Sequence, residues 1–196
     1  MLKTPRRAFL TLFVLSIAAC EHAPQQTAHD VFLANLKAHC GKAYEGKIVS
    51  TDKADEGMAK ERLVMHVREC GAAGVRVPFH VGANRSRTWV ITRTESGLRL
   101  KHDHRHEDGS EDKVTQYGGD TAAPGTPERQ EFPVDAYSIA MFERENLKAS
   151  VTNIWAVEIR PGKHFAYELR RANRFFRVEF DLTREVATPP PPWGAK

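Results

Sequence analysis

The chain has 196 residues, of which 41% are hydrophobic; 29 Lys and Arg face 25 Asp and Glu, giving a formal net charge of +4. That length is the size of one domain with a substantial core. No block of Lys and Arg with interleaved aromatics is present, so a nucleic-acid partner is not expected.

The first segment combines Lys3, Arg6 and Arg7 with an almost wholly apolar run from Ala8 to Ala19. Twelve residues are too few to span a bilayer, which needs about 20, but they match the apolar core of a signal peptide. The segment ends in "LSIAAC". This resembles the lipobox of bacterial lipoproteins, in which Leu or Ile and then small residues precede an acylated Cys. The resemblance implies residues 1–19 as signal peptide, Cys20 as the lipidated mature N-terminus, and residues 20–28 as a tether. It also implies the membrane as a partner through the lipid, since each buried methylene contributes about 0.8 kcal/mol. Glu21 follows, where an Asp is the inner-membrane retention signal of Gram-negative lipoproteins. The implied location is thus the outer membrane, facing the periplasm. An ordinary secretory signal with an incidental Cys is the alternative.

Removing residues 1–19 takes away three basic residues and no acid, leaving 26 Lys and Arg against 25 Asp and Glu, a net charge of +1. With Cys20 lipidated, Cys40 and Cys70 remain in a compartment that permits disulfides, and they are expected to pair. A closed loop of about 30 residues stabilises a fold by about 3–4 kcal/mol on the chain-entropy view.

Residues 29–186 read as one domain. Phe32, Leu33 and Leu36 recur at helical spacing and Gly41 follows, predicting a helix over about 29–39 with Gly41 as its cap. The period then changes to two. Leu63, Met65 and Val67 alternate with polar neighbours, as do Val75, Val77, Phe79 and Val81, with "CGAAG" as the turn between them. "SRTWVITRT" puts Trp89 and Ile91 on one face, and "LRLKHDHRH" does the same for Leu98 and Leu100. "GGDTAAPGTPER" reads as a loop and "DAYSIAMFEREN" as a further short helix capped by Asp135. Three more strands carry Trp155, Val157 and Ile159, then Phe165, Tyr167 and Leu169, then Phe176, Val178, Phe180 and Leu182, separated by "RPGK" and "AN" turns. The polar residues between them predict one dry face and one wet face. Residues 187–196 hold "TPPPPWGAK" and read as a disordered Pro-rich tail.

The expected fold is mainly β: an up-and-down antiparallel β-barrel or strongly curved sheet of about 9–10 strands, with an N-terminal helix and one further short helix. It resembles the lipocalin and fatty-acid-binding class, with "CGKAYEGK" as a loose counterpart of the lipocalin "GxW" signature. The mature chain also resembles uncharacterised secreted bacterial proteins that carry "LRLKHDHRHEDG" and "YGGD". That resemblance implies no activity.

Leu98, Leu100, His102, His104 and His106 share strand parity, so the histidines continue an inner apolar row, while Arg99, Lys101, Asp103 and Arg105 are expected to face water. Three readings stand. His102 and His104, about 6.6–6.8 Å apart along a strand, could share a metal ion, which makes a metal-binding protein or metal-dependent enzyme one alternative. All three histidines, with Trp89, Tyr117, Trp155 and Tyr167, could instead line a cavity for a small apolar or amphipathic ligand. Or they form a polar rim network without a ligand. The acids Glu107, Asp108, Glu111 and Asp112 lack the EF-hand order, Asp108-Gly109 suits a hairpin turn, and Gly118-Gly119-Asp120 suits a strand exit. No catalytic motif is visible and no cofactor is named. The leading expectation is a lipid-anchored barrel that binds a small ligand or serves as an envelope accessory protein. A purely structural interaction lipoprotein, docking through Pro189 to Trp193, is a further alternative.

Overall fold

Alternating apolar residues turn inward on every long strand, and the sheet they form curls until its two ends meet. The computed structural model describes residues 26–195. The lipobox, Cys20 and most of the tether therefore lie outside the described residues. In chain order the strands are β1 (Ala43–Ile48), β2 (Leu63–His66), β3 (Glu69–Cys70), β4 (Gly74–Val81), β5 (Asn84–Arg93), β6 (Leu98–His104), β7 (Tyr117–Asp120), β8 (Arg129–Pro133), β9 (Ile154–Arg160), β10 (His164–Arg171) and β11 (Arg174–Val186). The helices are α1 (Ala28–Lys37), α2 (Glu56–Ala59) and α3 (Ala136–Arg144). None among the described residues is long and apolar enough to cross a membrane.

All pairings are antiparallel, in the order β7-β6-β5-β4-β2-β1-β11-β10-β9-β8, with the two-residue β3 beside β4. β7 and β8 end this path and come together without a ladder. The Asp135 N–H donates to the Gly118 carbonyl at 2.9 Å. The Ser138 hydroxyl accepts from the Gly118 N–H at 2.8 Å and donates back to its carbonyl at 3.2 Å. A Cβ at Gly119 would lie 1.7 Å from the Pro133 carbonyl oxygen, so only glycine allows this approach. The result is a nearly closed antiparallel barrel, as expected, with its first strand zipped to its last.

α1 plugs one end. Thr27 and Asp30 form a capping box, Thr27 Oγ1 accepting from the Asp30 N–H and the Asp30 carboxylate accepting from the Thr27 N–H. Phe32, Leu33 and Leu36 are buried beneath it. Asp30 pairs with Arg93 at 3.0 Å, Asn35 donates to the Pro127 carbonyl at 3.1 Å and Lys37 to the Ala72 carbonyl at 3.1 Å. The helix stops at Lys37 with Ala38 as its cap; Gly41, at φ 81°, lies in the following turn and donates to the Val67 carbonyl. Cys40 in that turn is bonded to Cys70, with Cα atoms 6.2 Å apart. The disulfide therefore ties the plug to the wall. Asp135 caps α3 as expected, its carboxylate accepting from the Ser138 N–H. β1 itself was not legible as a strand, because "AYEGKI" alternates weakly.

The outer face is less wet than the alternation suggests, for two reasons. Residues 187–195 do not leave the barrel: the Trp193 N–H donates to the Arg85 carbonyl at 3.1 Å, and Arg85 donates to the Pro191 carbonyl at 2.9 Å. Outward-facing Val64, His66 and His80 on β2 and β4 are buried. Asp103, expected to face water, is 5% exposed, held by Arg76 at 2.6 Å and Arg105 at 3.0 Å. On β8 to β11 the polar row has condensed into an ion-pair lattice. Glu158 and Glu168, both nearly buried, share Arg129 and Arg177, with Arg160 and His164 also on Glu158.

Candidate functional site

The inner rows of β5, β6, β7, β10 and β11 converge at the barrel end opposite α1. In the β5/β6 register Trp89 lies beside His102 and Arg87 beside His104; in the β6/β7 register His102 lies beside Tyr117. The barrel axis below is filled. Trp89 stacks on Phe79 at 4.9 Å and on Tyr167 at 4.5 Å between ring centroids, and Phe165 and Phe180 lie against it. Above this floor remains a pocket of about 170 Å³, lined by residues including Phe79, Trp89, His102, Tyr117, Tyr167 and Phe176. Met58 from the turn of α2 and Leu169 add apolar walls, and Arg87, His104 and Arg174 bring polar groups. A cavity of about 150 Å³ holds a benzene-sized molecule. The space suits one ring or a short branched chain, rather than a long lipid swallowed whole.

His102 is fully committed. Its Nδ1 lies 3.0 Å from the Tyr117 carbonyl, which can only accept, so Nδ1 carries the proton and Nε2 accepts from the Tyr167 hydroxyl at 2.7 Å. Its ring stacks on Tyr117 at 4.4 Å and leans on Trp155 at 5.1 Å. Burial, together with the neighbouring His104, lowers its pKa to about 3, and it is neutral at physiological pH. His104 Nε2 meets the Tyr117 hydroxyl at 3.2 Å, and its Nδ1 makes no hydrogen bond among the described residues. Burial first, and then the Arg87 charge, lower its pKa to about 4. Burial likewise pushes the Tyr117 and Tyr167 hydroxyls up, so both remain protonated. The chemistry on offer is neutral hydrogen bonding and aromatic stacking beside a guanidinium.

Of the residues singled out from the sequence, Trp89, His102, His104, Tyr117 and Tyr167 come together around this pocket. Trp155 is buried behind His102 and supports it without lining the space. His106 is not brought in. β6 ends at His104, and His106 sits exposed in the following turn, its N–H donating to the Ser110 carbonyl. A third imidazole therefore leaves the inner row because the strand ends at His104. For a shared metal ion, His102 would have to give up Tyr167 or the Tyr117 carbonyl. Among the described residues no group of three His, Cys, Asp or Glu side chains is placed to hold an ion. Asp108-Gly109 does turn, with Gly109 at φ 86°. Gly118-Gly119-Asp120 forms the final three residues of β7, which ends at Asp120, paired to Arg99 at 2.7 Å.

Sequence reasoning missed Arg87, Arg174, Met58, Phe79 and Phe176 as wall residues. For Arg87 a signal existed: it shares parity with Trp89 and Ile91, so it continues an inward row. Fold and site together define a small antiparallel barrel with a filled waist, a helical plug at one end and an aromatic pocket at the other. Comparison of the chain with family models, with curated proteins and with solved structures finds no match. The chemistry of the pocket is what remains to indicate a function.

Proposed function

We propose that this chain is an envelope lipoprotein, anchored through Cys20, whose barrel binds a small amphipathic ligand in the aromatic pocket. The observation that carries this reading is the pocket itself: ring-sized, lined mainly by aromatic side chains, with a few oriented polar groups at its mouth. The lipobox supports the anchor. α1 follows the tether directly and plugs the opposite end, so an anchored barrel turns its pocket away from the membrane. The filled waist limits the ligand to one ring or one short chain end, which separates this barrel from a carrier that encloses a lipid.

Two measurements test the reading. Mass spectrometry of the protein from a Gram-negative host should find an acylated Cys20, lost in Cys20→Ser. Native mass spectrometry or ligand-detected NMR with a fragment set should find ring-sized binders that perturb Trp89 and Tyr117. An unmodified N-terminus would remove the anchor, and a set without any binder would remove the ligand.

A further inference from the structure

Within that reading, the geometry points to an anionic ligand: we propose that Arg87 makes the pocket selective for a carboxylate carried on a single ring. Arg87 lines the pocket, half-buried, with aromatic walls around it. Several arginines of the same wall hold a carboxylate, Arg76 and Arg105 that of Asp103, Arg93 that of Asp30 and Arg99 that of Asp120, while Arg85 and Arg171, outside the pocket, meet the Pro191 carbonyl and Asn153 Oδ1. Arg174, the other guanidinium at the mouth, is saturated by Asp55 at 2.8 and 2.5 Å and by Asp52 at 3.3 Å. Arg87 has only neutral partners, Asn84 Oδ1 at 3.1 Å and Ser86 Oγ at 3.3 Å, both on the same terminal nitrogen. No carboxylate lies within ion-pair distance of it among the described residues.

A partly desolvated cation without a counter-charge is costly, and a guanidinium presents two parallel N–H groups that match one carboxylate. Its charge acts on His104, Tyr117 and Tyr167, which places it at the upper rim of the aromatic space. Asp112 also acts on His104 and Tyr117, but its carboxylate accepts from the Val114 N–H and makes no ion pair with Arg87. His104 is neutral at physiological pH and offers a hydrogen bond without a competing charge. An aryl carboxylate would then rest its ring on the floor made by Trp89 and Tyr167, beside Phe176, and set its head against Arg87.

The inference rests on the pocket reading, and the test separates the two. Benzoate and benzyl alcohol, equal in ring but not in charge, are titrated into the isotope-labelled protein while the Trp89 indole and Tyr117 signals are followed by NMR. Benzoate should bind about tenfold or more tightly than the alcohol, as expected for a charge-assisted pair. Arg87→Gln should bring benzoate affinity down to that of the alcohol measured on the same variant, and Arg87→Lys should keep part of the preference. Thermal unfolding of each variant confirms that it is folded. Equal affinity for both probes overturns carboxylate selectivity and leaves an amphipathic pocket. Binding by neither overturns both.

Discussion

His102 is placed by four contacts from three residues: the carbonyl and stacked phenol of Tyr117, the Tyr167 hydroxyl and the tilted indole of Trp155. Its Nε2 is the group with most to lose, because the Tyr167 hydroxyl is its one partner. Tyr167→Phe should therefore cost about 1–3 kcal/mol, the usual cost of a buried polar atom left without a hydrogen bond. Urea unfolding measures it, and an unchanged midpoint would show that the bond contributes nothing. The buried imidazoles also predict an acid-sensitive fold. His102 at about 3, with His80 and His104 at about 4, all lowered chiefly by burial, titrate well below the ordinary histidine value of 6.5. An unfolded chain takes up those protons near pH 6.5, whereas the folded chain does not. Their contribution is complete above pH 6.5 and is lost as pH falls toward 4 and then 3. The melting temperature should thus decline steadily from pH 7 to 4.5, before most carboxylates titrate; a flat profile would contradict the neutral burial of these rings. Parity made the inward turn of His102 and His104 readable from sequence. The fate of His106 was not readable, because where β6 stops is decided by the turn that follows and not by alternation.

At the level of elements, the barrel depends on a seam without a ladder. Gly118, Gly119 and Ser138 replace strand pairing with close backbone approach and one hydroxyl. Gly119→Ala should force β7 from β8 and destabilise the protein by about 1–3 kcal/mol, as overpacking generally does. Hydrogen exchange should show the loss concentrated at Gly118 and Asp135, and protection there equal to wild type would sink the seam as described. The strands with clean alternation, β4, β5, β6 and β9 to β11, were all legible in the sequence, as were α1, α3 and the Cys40–Cys70 pair. What was not legible arises between elements. β1 has too little alternation to announce itself, and the Glu158 and Glu168 lattice looks in sequence like an ordinary solvated face. Burial pushes the Glu158 carboxyl up, yet Arg160, His164 and Arg177 together draw it down to about 2. Strand neighbours, which no local pattern reveals, bring those charges together.

For the whole molecule, the two unlike faces divide the work. The inner face ends in the pocket; on the outer face residues 187–195 are held to Arg85 of β5 through Pro191 and Trp193, and Val64 and His80 line a space beside the same segment. Deleting residues 187–196 should lower the melting temperature by uncovering Val64 and His80, while leaving probe binding at Trp89 intact, since the tail and the pocket lie on opposite sides of the wall. Loss of both together would show that the tail reaches the pocket after all. The tail was unreadable as a roof because a polyproline run carries no pattern that reports what it lies upon.

The pairing of β1 with β11 has a consequence in time as well as in space. β1 is made early, and one of its two edges has no partner until the last strand of the barrel is made. Until then the growing chain carries bare hydrogen-bonding groups along that edge, the kind of template on which other chains assemble. Closure by such distant partners is also slow, because the loop entropy must be overcome before any contact rewards it. A chain interrupted before residue 174 is thus not a smaller barrel but an open sheet, and its natural partner is another interrupted copy.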